Sequence, residues 1–280
     1  MKAKAMVKYI IASVFTVCAL VSTHTGYSQD ESGYTGTEEC MKCHPIKKKK
    51  KEKNLVKWKD HAHAKLEKGC EACHGPGKEH AALGAKELTK LKKEKGDLKI
   101  VLNKKSSLCG ECHKRTDDDS ILLHSGVLVK DNQQYTEMLY NKHTKFKVTC
   151  IFCHDAHAGL KTEEVIKRKC LDCHKGKFAV EVKIAAMSGL SCEDCHMPYA
   201  ARKASDETKG EYSKGDARSH IFGISSDPDY SLDDGSGKAA INEEGFARLT
   251  VEQTCYACHK SGRVKDISRE ELLEKAKSIH

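Results

Sequence analysis

The apolar positions along this chain form short, scattered runs, and the longest lies at the beginning. Tyr9–Ser22 is a mostly apolar stretch of fourteen residues behind Lys2, Lys4 and Lys8. It is too short to span a bilayer comfortably but fits the hydrophobic region of a secretory leader. Gly26-Tyr27-Ser28 offers small residues before a cleavage point. Residues 1–28 are therefore expected to be a signal peptide, with 29–280 as the mature region; the alternative is an uncleaved anchor. Further on, the pattern predicts short helices over Ala82–Lys95, Gln133–His143, Thr162–Cys170, Phe178–Met187 and Thr250–His259. A terminal helix is expected over Ser268–Ile279, where Ser268 and Glu271 have capping-box spacing. Asp97–Leu102 reads as extended, and Ile121–Val129 sets His124 among apolar residues. Gly75-Pro76-Gly77 turns the chain. Residues 201–245, rich in Gly, Ser, Asp and Lys, read as a long surface excursion whose one apolar knot is Ser219–Ile224. The fold class is mainly α with much irregular loop and little or no β-sheet.

Composition makes this pattern harder to fold. Aromatic residues are 6%, charged residues 32%, and there is one tryptophan. A chain of this kind buries too little apolar surface for an ordinary core and would be read as partly disordered. Another source of core is needed.

The cysteines supply it. Cys150-Ile151-Phe152-Cys153-His154 is one of seven copies of Cys-x-x-Cys-His, the others being Cys40–His44, Cys70–His74, Cys109–His113, Cys170–His174, Cys192–His196 and Cys255–His259. This is the attachment signature of c-type haem. The thiols of Cys40 and Cys43, Cys70 and Cys73, Cys109 and Cys112, Cys150 and Cys153, Cys170 and Cys173, Cys192 and Cys195, and Cys255 and Cys258 would add to the two vinyl groups of a porphyrin. His44, His74, His113, His154, His174, His196 and His259 would each reach the iron from one side. Zinc sites and thiol redox centres also use Cys-x-x-Cys, but neither asks for histidine at the next position every time. A disulfide framework has no use for the histidines either. Seven such placements by chance are on the order of one in 10⁸ or rarer. The cofactor is thus haem c with its iron, seven per chain. The 252 residues of the mature region provide 36 for each haem. Stacked haems form the core, the chain wraps them, and apoprotein is not expected to fold. Haem attachment outside the cytoplasm agrees with the leader.

The formal charge of +9 changes meaning accordingly. Loss of the leader leaves +6, and each ferric bis-histidine haem contributes about −1 through its propionates. The mature protein is near neutral, so the basic composition does not argue for nucleic acid. The lysine run Lys47–Lys51 reads as a solvated face, or as a docking patch for an acidic redox partner.

The second axial position of each iron separates electron transfer from catalysis. Outside the leader and the motifs, eight histidines remain: His61, His63, His80, His124, His143, His157, His220 and His280. Seven irons need seven distal ligands, so the pool matches bis-histidine coordination with one to spare. Met41, Met138, Met187 and Met197 are the alternative ligands.

Together the motifs make the chain resemble the multihaem c-type cytochromes of bacterial respiratory electron transfer, over residues 40–259. Cys70–His80 and Cys150–His157 look like sites of periplasmic multihaem carriers, including the decahaem components of outer-membrane conduits. The resemblance implies that His80 and His157 ligate neighbouring haems. It also implies partners such as a quinol-linked donor, a terminal reductase or an outer-membrane conduit, and a periplasmic or extracellular location without a stable membrane anchor. Cys192–Tyr199 followed by Ser219-His220 is similar to ammonia-forming nitrite reductases. Those usually carry a Cys-x-x-Cys-Lys site, which this sequence lacks. Related octahaem oxidoreductases work from histidine-ligated haems. The expected function is therefore an exported electron carrier. The alternatives are an oxidoreductase acting on a small nitrogen or sulfur compound at one five-coordinate haem, and a subunit of a cytochrome filament.

Overall fold

Every Cys-x-x-Cys-His motif closes one helical turn. In the computed structural model the histidine N–H donates to the carbonyl of the first cysteine: His44 to Cys40 (3.0 Å), His74 to Cys70 (3.1 Å), His113 to Cys109 (2.8 Å), His154 to Cys150 (2.9 Å) and His174 to Cys170 (2.9 Å). The sixth and seventh motifs lie in the helices Cys192–His196 and Val251–His259. Such a turn brings positions i, i+3 and i+4 to one face, so both thiols and the imidazole of a motif look the same way. The structure describes residues 33–44, 58, 62–67, 69–101, 105–129, 132–158, 165–175, 189–201, 217–260 and 264–279.

Capping holds these turns where length cannot. Helices of four or five residues do not persist on their own. At three motifs a side chain three residues on accepts from the N-cap amide: Asp172 from Lys169 (2.9 Å), Asp194 from Ser191 (2.9 Å) and Gln253 from Thr250 (2.7 Å). The expected terminal helix is present as Arg269–Ser278, with Ser268 Oγ accepting from the Glu271 amide. Among the described residues the one sheet is a hairpin, β1 (Leu123–His124) against β2 (Val127–Leu128). Ser125 and Gly126 both have positive φ, the conformation of a tight type I′ turn. The architecture is mainly helical with irregular loops. Among the described residues no helix is long and apolar enough to cross a membrane.

Several expected elements differ in detail. Ala82–Lys95 is divided by Gly84 into the ends of Lys78–Ala82 and Ala85–Glu94. Gln133–His143 is also two helices, Gln134–Leu139 and Lys142–Lys145, because Asn141 Oδ1 takes the His143 amide (2.8 Å) and starts a new one. Of the expected helix Thr162–Cys170, residues 162–164 lie outside the described residues; from Ile166, which forms a bridge with His154, and Lys167, whose N–H donates to Cys153 O (2.9 Å), pairing with the fourth motif takes the place of helix. The stretch after Asp97 bends, with Lys99 at positive φ, instead of extending. Phe178–Met187, the lysine run, the leader, His61 and His280 lie outside the described residues.

The largest correction concerns 201–245. From residue 217 onward this stretch is no surface excursion. Ile221, Leu232, Ala239, Ala247 and Leu249 join Ile121, Leu128, Ala200 and Ala201 in the largest core cluster. Irregular backbone survives there because its polar groups are paired. Leu249 N–H donates to Gly223 O (2.8 Å), Ala239 N–H to Ile121 O (2.8 Å), and the Tyr230 hydroxyl bonds the Arg248 amide and carbonyl. A second cluster, Val251, Tyr256, Leu272 and Leu273, joins the seventh motif to the terminal helix.

Candidate functional site

Five motif histidines each face one histidine from elsewhere in the chain. The ring centres of His44 and His80 are 6.3 Å apart, of His74 and His157 6.0 Å, of His113 and His63 6.0 Å, of His154 and His220 6.1 Å, and of His174 and His143 5.9 Å. Metal–imidazole bonds are about 2 Å long, so two imidazoles on opposite sides of one metal hold their ring centres about 6 Å apart. The donor set fits an iron between each pair. Among the described residues no group of three or more His, Cys, Asp or Glu converges as an ion site; ligands come in twos. His124 is exposed on β1, not in the apolar setting expected from its neighbours.

The other ring nitrogen settles which atom is available. Nδ1 of His74 donates to Val101 O (2.9 Å), that of His80 to Leu98 O (2.7 Å), that of His196 to Phe222 O (2.9 Å) and that of His259 to Lys265 O (3.0 Å). A carbonyl only accepts, so each of these Nδ1 atoms carries the proton and Nε2 keeps its lone pair for a metal. His143 and His220 are different: their Nδ1 atoms are buried without a hydrogen-bond partner. Burial lowers the pKa of His143, and that of His220 to about 4, with neighbouring His174 and His154 adding to the effect. Both rings are held neutral, the form that ligates.

Apolar surface lines the same places. Phe152 and Leu171 sit inside the fourth and fifth motifs and are 42% and 55% exposed. Leu66, Val101 and Leu190, close to other motifs in the chain, are also exposed. A large flat apolar cofactor suits such a seat, whereas water does not.

A family model for cytochrome c554 and c-prime matches residues 19–75, which include the first two motifs. The chain is 25% identical over 189 residues to the multiheme cytochrome MtrA of Shewanella baltica (strain OS185), covering 62% of this chain and 49% of that protein. It is 22% identical over 231 residues to the dissimilatory sulfite reductase MccA of Wolinella succinogenes, covering 65% of this chain and 30% of that protein. This chain is a multihaem c-type cytochrome. It spans about half the length of the first relative and less than a third of the second. A solved structure of the octaheme sulfite reductase MccA of Wolinella succinogenes aligns with 74% of the chain and 40% of its own, at a TM-score of 0.49 and 19% identity.

In this cytochrome each motif neighbours the next one in sequence. Cys40 is pushed up to about 11 by burial and by Cys70. Cys73 is raised by burial and by Cys112. Cys109 is raised by its hydrogen bond with Cys150, which is in turn lowered to about 6. Cys153 is raised by burial and by Cys173; Cys170, at about 12, by burial, Glu193 and Cys192; and Cys195 by burial, Asp194 and Cys258. Thioether formation would end these titrations, but the adjacency remains. These electrostatic interactions alternate between the first cysteines of two motifs and the second cysteines of the next two. The expected closeness of the motifs at Cys150, Cys170 and Cys192 is part of this series.

Residues other than the motif cysteines and histidines hold the cytochrome's sites in place. Glu71, inside the second motif, accepts from the amides of Thr35 (3.0 Å), Gly36 (2.7 Å) and Gly77 (2.7 Å), tying the first motif to the Gly75-Pro76-Gly77 turn. Removing it leaves three amides without that acceptor. Glu71→Ala is expected to cost on the order of 3–5 kcal/mol, measured as a shift of the denaturant midpoint of the holoprotein. The carboxyl of Glu137, fully buried, accepts from the His220 amide (2.6 Å) while Asn141 Nδ2 donates to His220 O (3.3 Å). Burial pushes Glu137 up to about 7 against its hydrogen bonds from the His220 amide, Gln133 and Ser219. Trp58 meets His157 edge-on, ring centres 5.9 Å apart. Arg218 bonds Glu193 O, Met197 O and Asp194, closing the sixth motif's helix. The partners of Glu71 at Thr35 and Gly36, of Glu137 at His220 and of Arg218 at Asp194 are too distant in the chain to be read from sequence.

Proposed function

We propose that this cytochrome is an exported heptahaem electron carrier. The observation that carries the reading is the set of five histidine pairs about 6 Å apart, each joining a motif histidine to one outside the motifs. His80, His157, His63, His220 and His143 then ligate the first to fifth haems in that order. The sixth and seventh, bound through His196 and His259, draw on His61, His124 and His280. With both axial positions filled, iron exchanges electrons without binding substrate, and bis-histidine ligation favours lower potentials than methionine–histidine. The neighbour series supports haems ordered as in the sequence, so electrons enter and leave at the first and seventh. The protein supplies spacing, ligands and burial, while the haem supplies the redox chemistry. The leader and the character of the relatives favour a periplasmic or extracellular location and a redox protein at each end, such as a quinol-linked donor and a terminal reductase or outer-membrane conduit.

The similarity to a sulfite reductase favours a second reading, an oxidoreductase working on a small sulfur or nitrogen compound at one open iron. One measurement separates the two. Electron paramagnetic resonance of the ferric holoprotein, with seven haems verified by mass, is expected to contain only low-spin signals. A stoichiometric high-spin signal that responds to sulfite, nitrite or hydroxylamine would replace the carrier reading with the second.

A further inference from the structure

Three consecutive sites meet on one short segment, Ser219–Phe222. The His220 ring faces His154 of the fourth motif. The Phe222 ring meets His143, which faces His174 of the fifth, with ring centres 4.6 Å apart and planes at 67°. The Phe222 carbonyl accepts from His196 Nδ1 of the sixth (2.9 Å). We propose that Phe222 is the positioning residue of the fifth site: its ring sets the plane of the His143 imidazole, and its carbonyl bond to His196 ties that plane to the sixth site.

The argument starts from what His143 lacks. Its Nδ1 is buried without a hydrogen-bond partner, so no carbonyl sets its ring plane as happens at His74, His80, His196 and His259. An edge-to-face aromatic contact has a preferred geometry and can do this instead. For Phe222 to act as a template its own backbone must be fixed. Ile221 before it is fully buried in the main core, and its amide donates to Ser219 Oγ (2.9 Å). Gly223 after it accepts from the Leu249 amide (2.8 Å), and Ser219 N–H donates to Pro198 O (2.9 Å). The segment is pinned on both sides. Imidazole plane and Nδ1 bonding tune a bound iron's electronic state and potential, so one rigid carbonyl and ring link two neighbouring haems.

This rests on His143 being the axial ligand proposed above. The test uses holoprotein carrying Phe222→Ala, Phe222→Leu or Phe222→Tyr, read by electron paramagnetic resonance during a potentiometric titration. Phe222→Ala and Phe222→Leu are expected to shift the principal g value and midpoint potential of one low-spin signal, the one that His143→Ala converts to high spin. Phe222→Tyr, which keeps the ring, is expected to leave the wild-type signal. If Phe222→Ala does not load seven haems, Phe222→Leu decides alone. A Phe222→Leu protein with every signal at its wild-type position overturns the proposal, as does a shift of the same size in Phe222→Tyr. Failure of the carrier reading looks different, because it places a high-spin signal in the wild type.

Discussion

Made without covalent haem attachment, for example with residues 1–28 removed and in a cytoplasm lacking the attachment machinery, the chain is expected to remain largely unfolded. The motif helices of four or five residues cannot nucleate alone. The largest core cluster holds nine buried residues, eight of them outside any helix or strand, and the second holds four. Neither includes the motifs at Cys40, Cys70, Cys109, Cys150 or Cys170. Apolar side chains such as Phe152 and Leu171 face outward at those motifs, so their burial depends on the cofactor. Ordering each residue costs about 1–2 kcal/mol of backbone entropy, and the polypeptide alone has few contacts to offset this. The checks are circular dichroism and limited proteolysis beside the holoprotein. Most of the helical signal should be lost, and cleavage should be at least about tenfold faster, the factor that about 1.4 kcal/mol of lost protection gives. A compact, protease-resistant apoprotein would show that the chain has a core of its own.

The second large effect is expected at His220. This residue is partly buried, its Nδ1 atom is buried without a hydrogen-bond partner, and its main chain is held on both sides by Glu137 and Asn141. A buried imidazole with an unpaired nitrogen is costly, and an iron bond from the ring is a reason for such a residue to persist. His220→Ala is expected to convert one haem of the seven to high spin while leaving the others low spin. His220→Met should restore a sixth ligand to the same haem and raise its potential. Because this haem is fourth of seven in the proposed order, electron passage between the two ends should slow in both variants. Stopped-flow reduction from one donor, followed at all haems, checks it. An unchanged spin state in a fully loaded His220→Ala protein would remove His220 from the ligand set.

Much of the chemistry was legible without a structure because it is local. Two thiols three apart and a histidine beside the second share one face of a helical turn whatever surrounds them. The helix at Thr250–His259 and the capped terminal helix were legible for the same reason: their caps lie within four residues of what they cap. The helical expectation for Gln133–His143 missed its break because Asn141 can serve either as a helix residue or as a cap, and the carbonyl of His220, far along the chain, shares in that choice. Residues 217–245, within the expected excursion 201–245, were the largest misreading. Small and polar residues without a repeat resemble a loop, yet this stretch becomes core when its amides find partners at Ile121 and Pro198.

The amino-acid order alone gives seven Cys-x-x-Cys-His motifs, the haem c that such motifs imply and a pool of eight candidate distal histidines. Folding decided which member of that pool faces which motif, which motif neighbours which, and what orients each ring. The reason is physical: a covalent attachment needs only neighbours in the chain. An axial pair, by contrast, needs two imidazoles about 6 Å apart from segments tens of residues distant, and only the packing of the whole chain sets that distance.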